Sequence, residues 1–168
     1  MEHTERMTNL AKKLGTEVGL NESDMDALEL MATLHDLGKI GISNQILSKP
    51  GELSTGEWNE IKKHPEIGYR IALTIPELQN IAGYILSHHE RWDGKGYPQG
   101  LSKHEIPFIS RLISVVDAFD AMTENRPYRK SISDEEAAKK ILNNSGTQFD
   151  PEVVKIFLEK VLGLNFSG

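Results

Sequence analysis

Apolar residues recur at three- and four-residue intervals along nearly the whole chain, the spacing that puts side chains on one face of an α-helix. Met7, Leu10, Leu14 and Val18 form a first stripe that ends near Gly19. Leu28, Met31, Ala32 and Leu34 form a second, which Ser23 caps and Gly38 stops. The stretch from Ile40 to Gly51 reads as irregular, with Pro50-Gly51 marking a turn. Ser54-Thr55-Gly56-Glu57 has the spacing of a capping box and leads into a helix carrying Trp58 and Ile61. Pro65 and Pro76 fit first-turn positions of two further helices, the second bearing Leu78, Ile81, Ala82 and Ile85. Pro107 starts a helix with Ile109, Leu112, Ile113, Val116 and Phe119 on one face. Ser133-Asp134-Glu135-Glu136 is a second capping box, ahead of Ile141 and Leu142. Asp150-Pro151 opens the last helix, with Val153, Val154, Phe157, Val161 and Leu162.

No run of strand-like alternation, internal repeat or low-complexity segment interrupts this pattern. The expected fold is all-α, one domain over residues 1–168 with about seven helices. One segment breaks the periodicity: residues 91–106 read RWDGKGYPQGLSKHEI, with three glycines and no helical stripe. Structureless loops longer than about 12–15 residues are uncommon in compact domains and tend to be functional or disordered. Trp92 and Tyr97 argue for an ordered, functional loop.

Composition narrows the function. Nineteen lysines and arginines against 25 acidic residues leave a net charge of −6, which disfavours generic binding to DNA. No apolar run is long enough to span a bilayer, and the polar start MEHTERM is not a secretory signal. The chain has no cysteine, which excludes disulfides, thiolate metal sites and thiol nucleophiles, and fits a cytoplasmic location.

Polar residues of ligand type fall on the apolar faces. His3 precedes Met7 by four residues and Leu10 by seven, so it shares their face. His35 lies seven residues after Leu28, with Asp36 next to it. His88 and His89 follow Ile85 by three and four. Asp117 follows Ile113 by four in the middle of an apolar helix, and His64 sits at a helix junction beside Pro65. A lone inward histidine is most often a hydrogen-bonded core residue, and Asp117 could pair with an arginine such as Arg111. Together, however, five of the six histidines and two aspartates occupy positions from which they could converge. Imidazoles and carboxylates suit iron, manganese and zinc. The set is too large for one tetrahedral structural zinc and large enough for two octahedral ions.

In chain order these residues lie in His3-Thr4-Glu5-Arg6, His35-Asp36-Leu37-Gly38-Lys39-Ile40-Gly41, His64-Pro65-Glu66-Ile67-Gly68, the run His88-His89-Glu90-Arg91-Trp92-Asp93-Gly94-Lys95-Gly96-Tyr97-Pro98, and Asp117-Ala118-Phe119-Asp120-Ala121-Met122-Thr123. Arg126-Pro127-Tyr128-Arg129 follows. This text, from residue 3 to about residue 130, resembles the HD superfamily of metal-dependent phosphohydrolases, and specifically its HD-GYP branch. The resemblance implies an HD-type helical bundle that hydrolyses cyclic di-GMP to the linear dinucleotide or on to GMP. It implies metal ligation by His3, His35, Asp36, His64, His88, His89 and Asp117, with Asp36 bridging two divalent ions, iron first and manganese as substitute. In some members a glutamate one turn before the first histidine helps hold a third ion. Here that position would precede Met1, which argues against a third ion and for a chain cut from a longer protein with a sensor or receiver domain upstream.

Two adjacent cations activate water for in-line attack on phosphorus and neutralise charge on the phosphoryl oxygens. Alone, Lys39 reads as a solvated lysine beside a helix end; the resemblance implies that it serves catalysis with Asp36, contacting a phosphate or the metal-bound solvent. The resemblance implies that Gly96, Tyr97 and Pro98 shape the nucleotide pocket, with Tyr97 packing on a base or filling core; Arg126 and Arg129 suit phosphate contacts or surface salt bridges. Trp92 reads as core, His104 as an exposed loop residue, and Asp120 as a support behind the ligands or a structural partner rather than a ligand. Two rival readings are a phosphohydrolase acting on another nucleotide, such as cyclic GMP-AMP, and a catalytically silent signalling module.

Overall fold

The computed structural model describes residues 2–125 and 130–166, with side chains from residue 5 onward. Helices α1 (Glu2–Glu17), α2 (Glu22–Leu34) and α7 (Phe108–Thr123) pack on one another. Their shared interior holds Met7, Ala11 and Leu14 of α1, Leu28, Met31 and Ala32 of α2, and Ile109, Leu112, Ile113, Val116 and Phe119 of α7. These are the stripes the sequence presents at helical spacing. Helix α1 ends two residues before Gly19, whose positive φ of 77° turns the chain.

Short helices fill the next stretch: α3 (Asn44–Leu47), α4 (Thr55–Ile61), α5 (His64–Thr74) and α6 (Ala82–Ser87). Helix α5 packs on α6, and the hydroxyl of Ser110 donates to the Tyr84 carbonyl at 3.0 Å, tying α7 to α6. At the far end, α8 (Asp134–Asn143) and α9 (Pro151–Ile156) cover α7, and Phe157 meets Phe119 edge to face with ring centroids 5.4 Å apart. Both expected capping boxes form, Ser54 with Glu57 and Ser133 with Glu136, and Asp150 caps α9. Among the described residues there is no strand, only an isolated bridge between Ser145 and Phe149. No described helix is long and apolar enough to cross a membrane.

Four boundaries differ from the periodicity. Asn21, not Ser23, caps α2: its side-chain oxygen accepts the Asp24 N–H at 2.8 Å. Helix α2 stops at Leu34, not Gly38, and the chain then tightens into a 3-10 turn at Leu37–Gly41. The cause is a close approach: a Cβ on Gly38 would lie 1.8 Å from the carbonyl oxygen of His64, so the turn rests directly on the start of α5. The segment behind Pro76 begins as a 3-10 turn, Pro76–Ile81, before α6. Finally, the stretch read as irregular contains α3, capped by Ser43.

Candidate metal centre

The ends of four elements meet where α2 hands over to the 3-10 turn. His35 caps the C-terminus of α2 and Asp36 follows it. His64 opens α5, and His88 and His89 close α6. One ligand atom each from Asp36, His64, His88 and His89 lies within 4.8 Å of the others. The Nε2 atoms of His64 and His88 are 3.3 Å apart, those of His64 and His89 3.2 Å, and Asp36 Oδ1 is 3.3 Å from His64 Nε2. His35 Nε2 stands 3.5 Å from Asp36 Oδ2 and 3.7 Å from Asp117 Oδ1, so Asp117 of α7 reaches the same cluster.

The opposite nitrogens settle the tautomers. Nδ1 of His64 donates to the Ile61 carbonyl at 2.7 Å and Nδ1 of His88 to the Ile85 carbonyl at 2.6 Å; His35 does the same toward Met31 at 3.2 Å. A carbonyl only accepts, so each Nδ1 carries the proton and each Nε2 presents a lone pair to the cluster. Such backbone anchoring is the usual support of metal-bound imidazoles. Burial, then the neighbouring imidazoles, push His88 well below the ordinary histidine value; burial and His64 bring His89 down to about 3. Both rings are therefore neutral near pH 7, the form that binds a metal. The His64 and His88 lone pairs, facing each other at 3.3 Å, repel unless a cation lies between them. Ligands held about 2.0–2.1 Å from one ion stand at about this separation. The donor set fits a divalent ion.

Burial raises the Asp36 carboxyl, but the neighbouring His64 and His35 and the Lys39 ammonium together outweigh it and hold Asp36 far below the usual range. Lys39 Nζ donates to Asp36 Oδ2 at 2.6 Å.

Over this cluster lies the 91–106 segment, ordered as expected. Trp92 and Asp93 donate their N–H groups to the Gln148 and Thr147 carbonyls, and Lys103 N–H returns to the Trp92 carbonyl. Tyr97 donates its N–H to the His89 carbonyl at 3.2 Å, and its ring stacks on His89 with centroids 5.0 Å apart at 20°. Burial and the Asp36 and Asp117 charges push the Tyr97 hydroxyl up to about 12, so it stays protonated. Lys62 Nζ stands 5.6 Å from the centroid of the same ring. Gly96 packs against backbone: a Cβ there would lie 2.5 Å from Arg91 N and 2.6 Å from His89 O. The Tyr97–Pro98 peptide is cis.

His3 lies on α1, but its side chain is outside the described residues, as are Arg126 and Arg129 altogether. Arg111 does not partner Asp117; it pairs with Asp150 at 2.7 Å, joining α7 to the cap of α9. Trp92 is half-buried at the loop's edge, rather than core, with its ring against His104. Exposed His104 sits in the 3-10 turn Lys103–Glu105. Asp120 is a structural partner as expected, fully buried with Arg6 Nε 3.6 Å from its carboxylate. Sequence reasoning gave Glu90 no role; its buried carboxylate accepts the N–H groups of Gln99 and Leu101. Its place beside two inward histidines was the available signal.

The family model described as HD domain matches residues 1–153. A cyclic di-GMP phosphodiesterase of Thermotoga maritima is 45% identical over 159 residues, covering 94% of this chain and 43% of that protein. A 3'3'-cGAMP-specific phosphodiesterase of Vibrio cholerae is 36% identical over 159 residues, covering 94% of this chain and 30% of that protein. The chain thus spans less than half the length of these curated relatives. The crystal structure of another V. cholerae phosphodiesterase, described as specific for cyclic GMP-AMP, superposes with a TM-score of 0.75 at 22% identity. That match covers 96% of this chain and 44% of the other, and it shows the shared fold.

Proposed function

The chain belongs to the HD domain family, and from that premise we propose that it hydrolyses a phosphodiester bond of a cyclic dinucleotide, cyclic di-GMP first, at the cluster around Asp36. The observation that carries this reading is the gathering of ligand atoms from Asp36, His64, His88 and His89 within 4.8 Å. Their opposite nitrogens, where hydrogen-bonded, are fixed by backbone carbonyls. In this reading His3, His35 and Asp117 complete the ligand set for two divalent ions, iron or manganese. Bound there, the ions supply an activated water and neutralise charge at phosphorus.

The chain's own residues do the rest. Asp36 is ionised at neutral pH, and its two oxygens face His35 and His64, so its carboxylate could be shared between two ions. Lys39 leaves its ammonium beside Asp36, where an incoming phosphate oxygen gains a charge-assisted hydrogen bond. Tyr97, with Gly96 and Pro98, walls the site beside His89. Arg126 and Arg129 are proposed to contact the phosphates.

The test is turnover of cyclic di-GMP, followed by chromatography, on protein purified without oxygen and supplied with Fe(II) or Mn(II), beside Asp36→Ala. Metal-dependent hydrolysis that vanishes in the variant supports the reading and identifies the product. Bound metal without turnover rejects cyclic di-GMP as substrate. No metal and no turnover would leave a silent signalling module. The V. cholerae relative named for 3'3'-cGAMP favours a second reading, hydrolysis of cyclic GMP-AMP, so both substrates belong in the assay.

A further inference from the structure

We propose that Glu90 is a positioning residue: through the loop it anchors, it holds the Tyr97 ring on His89 and so fixes one wall of the site. This rests on the reading of Tyr97 as a wall of the substrate site. Glu90 follows His88 and His89 directly, yet its side chain is not among the clustered donors, and it is 3% exposed. One carboxylate oxygen accepts the Gln99 N–H at 2.7 Å and the other accepts the Leu101 N–H at 3.0 Å. A buried carboxylate is costly unless its oxygens are satisfied, and here each oxygen holds a backbone donor of the segment just beyond Tyr97 and Pro98.

The same stretch of backbone is held from its other side. Gly96 packs where any side chain would strike Arg91 N, Glu90 Cα and His89 O, and Tyr97 N–H donates to His89 O at 3.2 Å. Residues 96–101 are thus fastened to residues 89–91 at both ends of the Tyr97-Pro98 step. Tyr97 has no freedom to leave the His89 face, and the 5.0 Å stack at 20° follows. With glutamine in place of Glu90, one oxygen becomes an NH₂ facing an N–H donor, so the fastening at one end is lost while side-chain volume is kept.

The experiment compares the parent chain, Glu90→Gln, Glu90→Asp, Tyr97→Ala and the Glu90→Gln/Tyr97→Ala double variant, all loaded with Mn(II). Deuterium exchange of peptides spanning residues 96–101 reads the loop without reference to turnover. The expected result is exchange at least about tenfold faster in Glu90→Gln, with helical signal and metal content kept, and trypsin cleavage after Lys95. In turnover, KM rises about tenfold with kcat within about threefold, and the substitution adds little to KM in the Tyr97→Ala background, since coupled residues are not additive. Unchanged exchange in Glu90→Gln overturns the proposal. So does loss of metal, or a fall in kcat that persists undiminished without Tyr97. If Glu90→Gln does not fold, Glu90→Asp, which keeps the charge and shortens the reach, carries the same comparison. If the parent turns over neither cyclic dinucleotide, the substrate reading fails while the exchange result still decides the role of Glu90.

Discussion

A histidine offers a metal one lone pair, and the partner of its other nitrogen decides which. For His64 and His88 that partner is the carbonyl three residues back, Ile61 and Ile85, so local helix geometry alone aims both Nε2 atoms inward. Such a device is invisible as a motif but follows from a histidine placed at a helix end. Lys39 is a different case. Its ammonium already bonds Asp36, one turn earlier, and it lies beside the cluster without offering a lone pair while charged. Lys39→Met is therefore expected to keep the bound metal and to cut turnover by about 100- to 1,000-fold, the scale of one lost charge-stabilising contact in a transition state. Metal analysis alongside kcat checks this, and joint loss of metal and turnover would place Lys39 in the ligand set instead.

Elements meet here through glycine. Gly38 lies against the His64 carbonyl, and a Cβ on Gly68 would come within 2.8 Å of Ile85 and 3.1 Å of Gly38 N, so the 3-10 turn, α5 and α6 touch where the ligands sit. Gly38→Ala has no flexible neighbour to displace, only backbone. Overpacking of this kind costs about 1–3 kcal/mol or more, and the variant is expected to lose that stability in urea unfolding together with its metal. The 91–106 loop carries a separate, pH-linked contact. The hydrogen bond from Arg91 brings the Asp93 carboxyl down to about 2, and Lys95 N–H adds a second donor. Its folded pKa lies below its unfolded value, so the unfolded chain binds more protons between about pH 4 and 2. The contact is thus fully stabilising above about pH 4 and is lost as pH falls toward 2. Asp93→Asn should lower the urea midpoint relative to the parent at pH 6 and converge with it near pH 2; parallel curves across that range would contradict it.

At the scale of the whole molecule, the candidate site was legible because its residues break the pattern around them: His35, His64, His88, His89 and Asp117 stand on or beside apolar stripes where polar groups need a reason. What escaped was tertiary. The stop of α2 at Leu34 depends on a backbone contact with α5, and the partner of Arg111 is 39 residues away in Asp150, a cap that sequence places but cannot join. The same dispersal makes stability the most direct reporter of the cluster. Its donors come from α2, α5, α6 and α7, so they converge only in the folded chain, and a metal bound there stabilises folded over unfolded protein by mass action. At about 100 times its dissociation constant that is about 2.7 kcal/mol, and a domain of this size gains about 2–4 °C in Tm per kcal/mol. Chelation of the Mn(II)-loaded protein should therefore lower Tm by about 5–10 °C, and restored Mn(II) should recover it. Asp36→Asn removes the carboxylate charge that stands between His35 and His64, so the variant should melt at the same temperature with and without the ion. A parent protein whose Tm ignores Mn(II) would mean that the facing imidazole lone pairs are held by the fold alone.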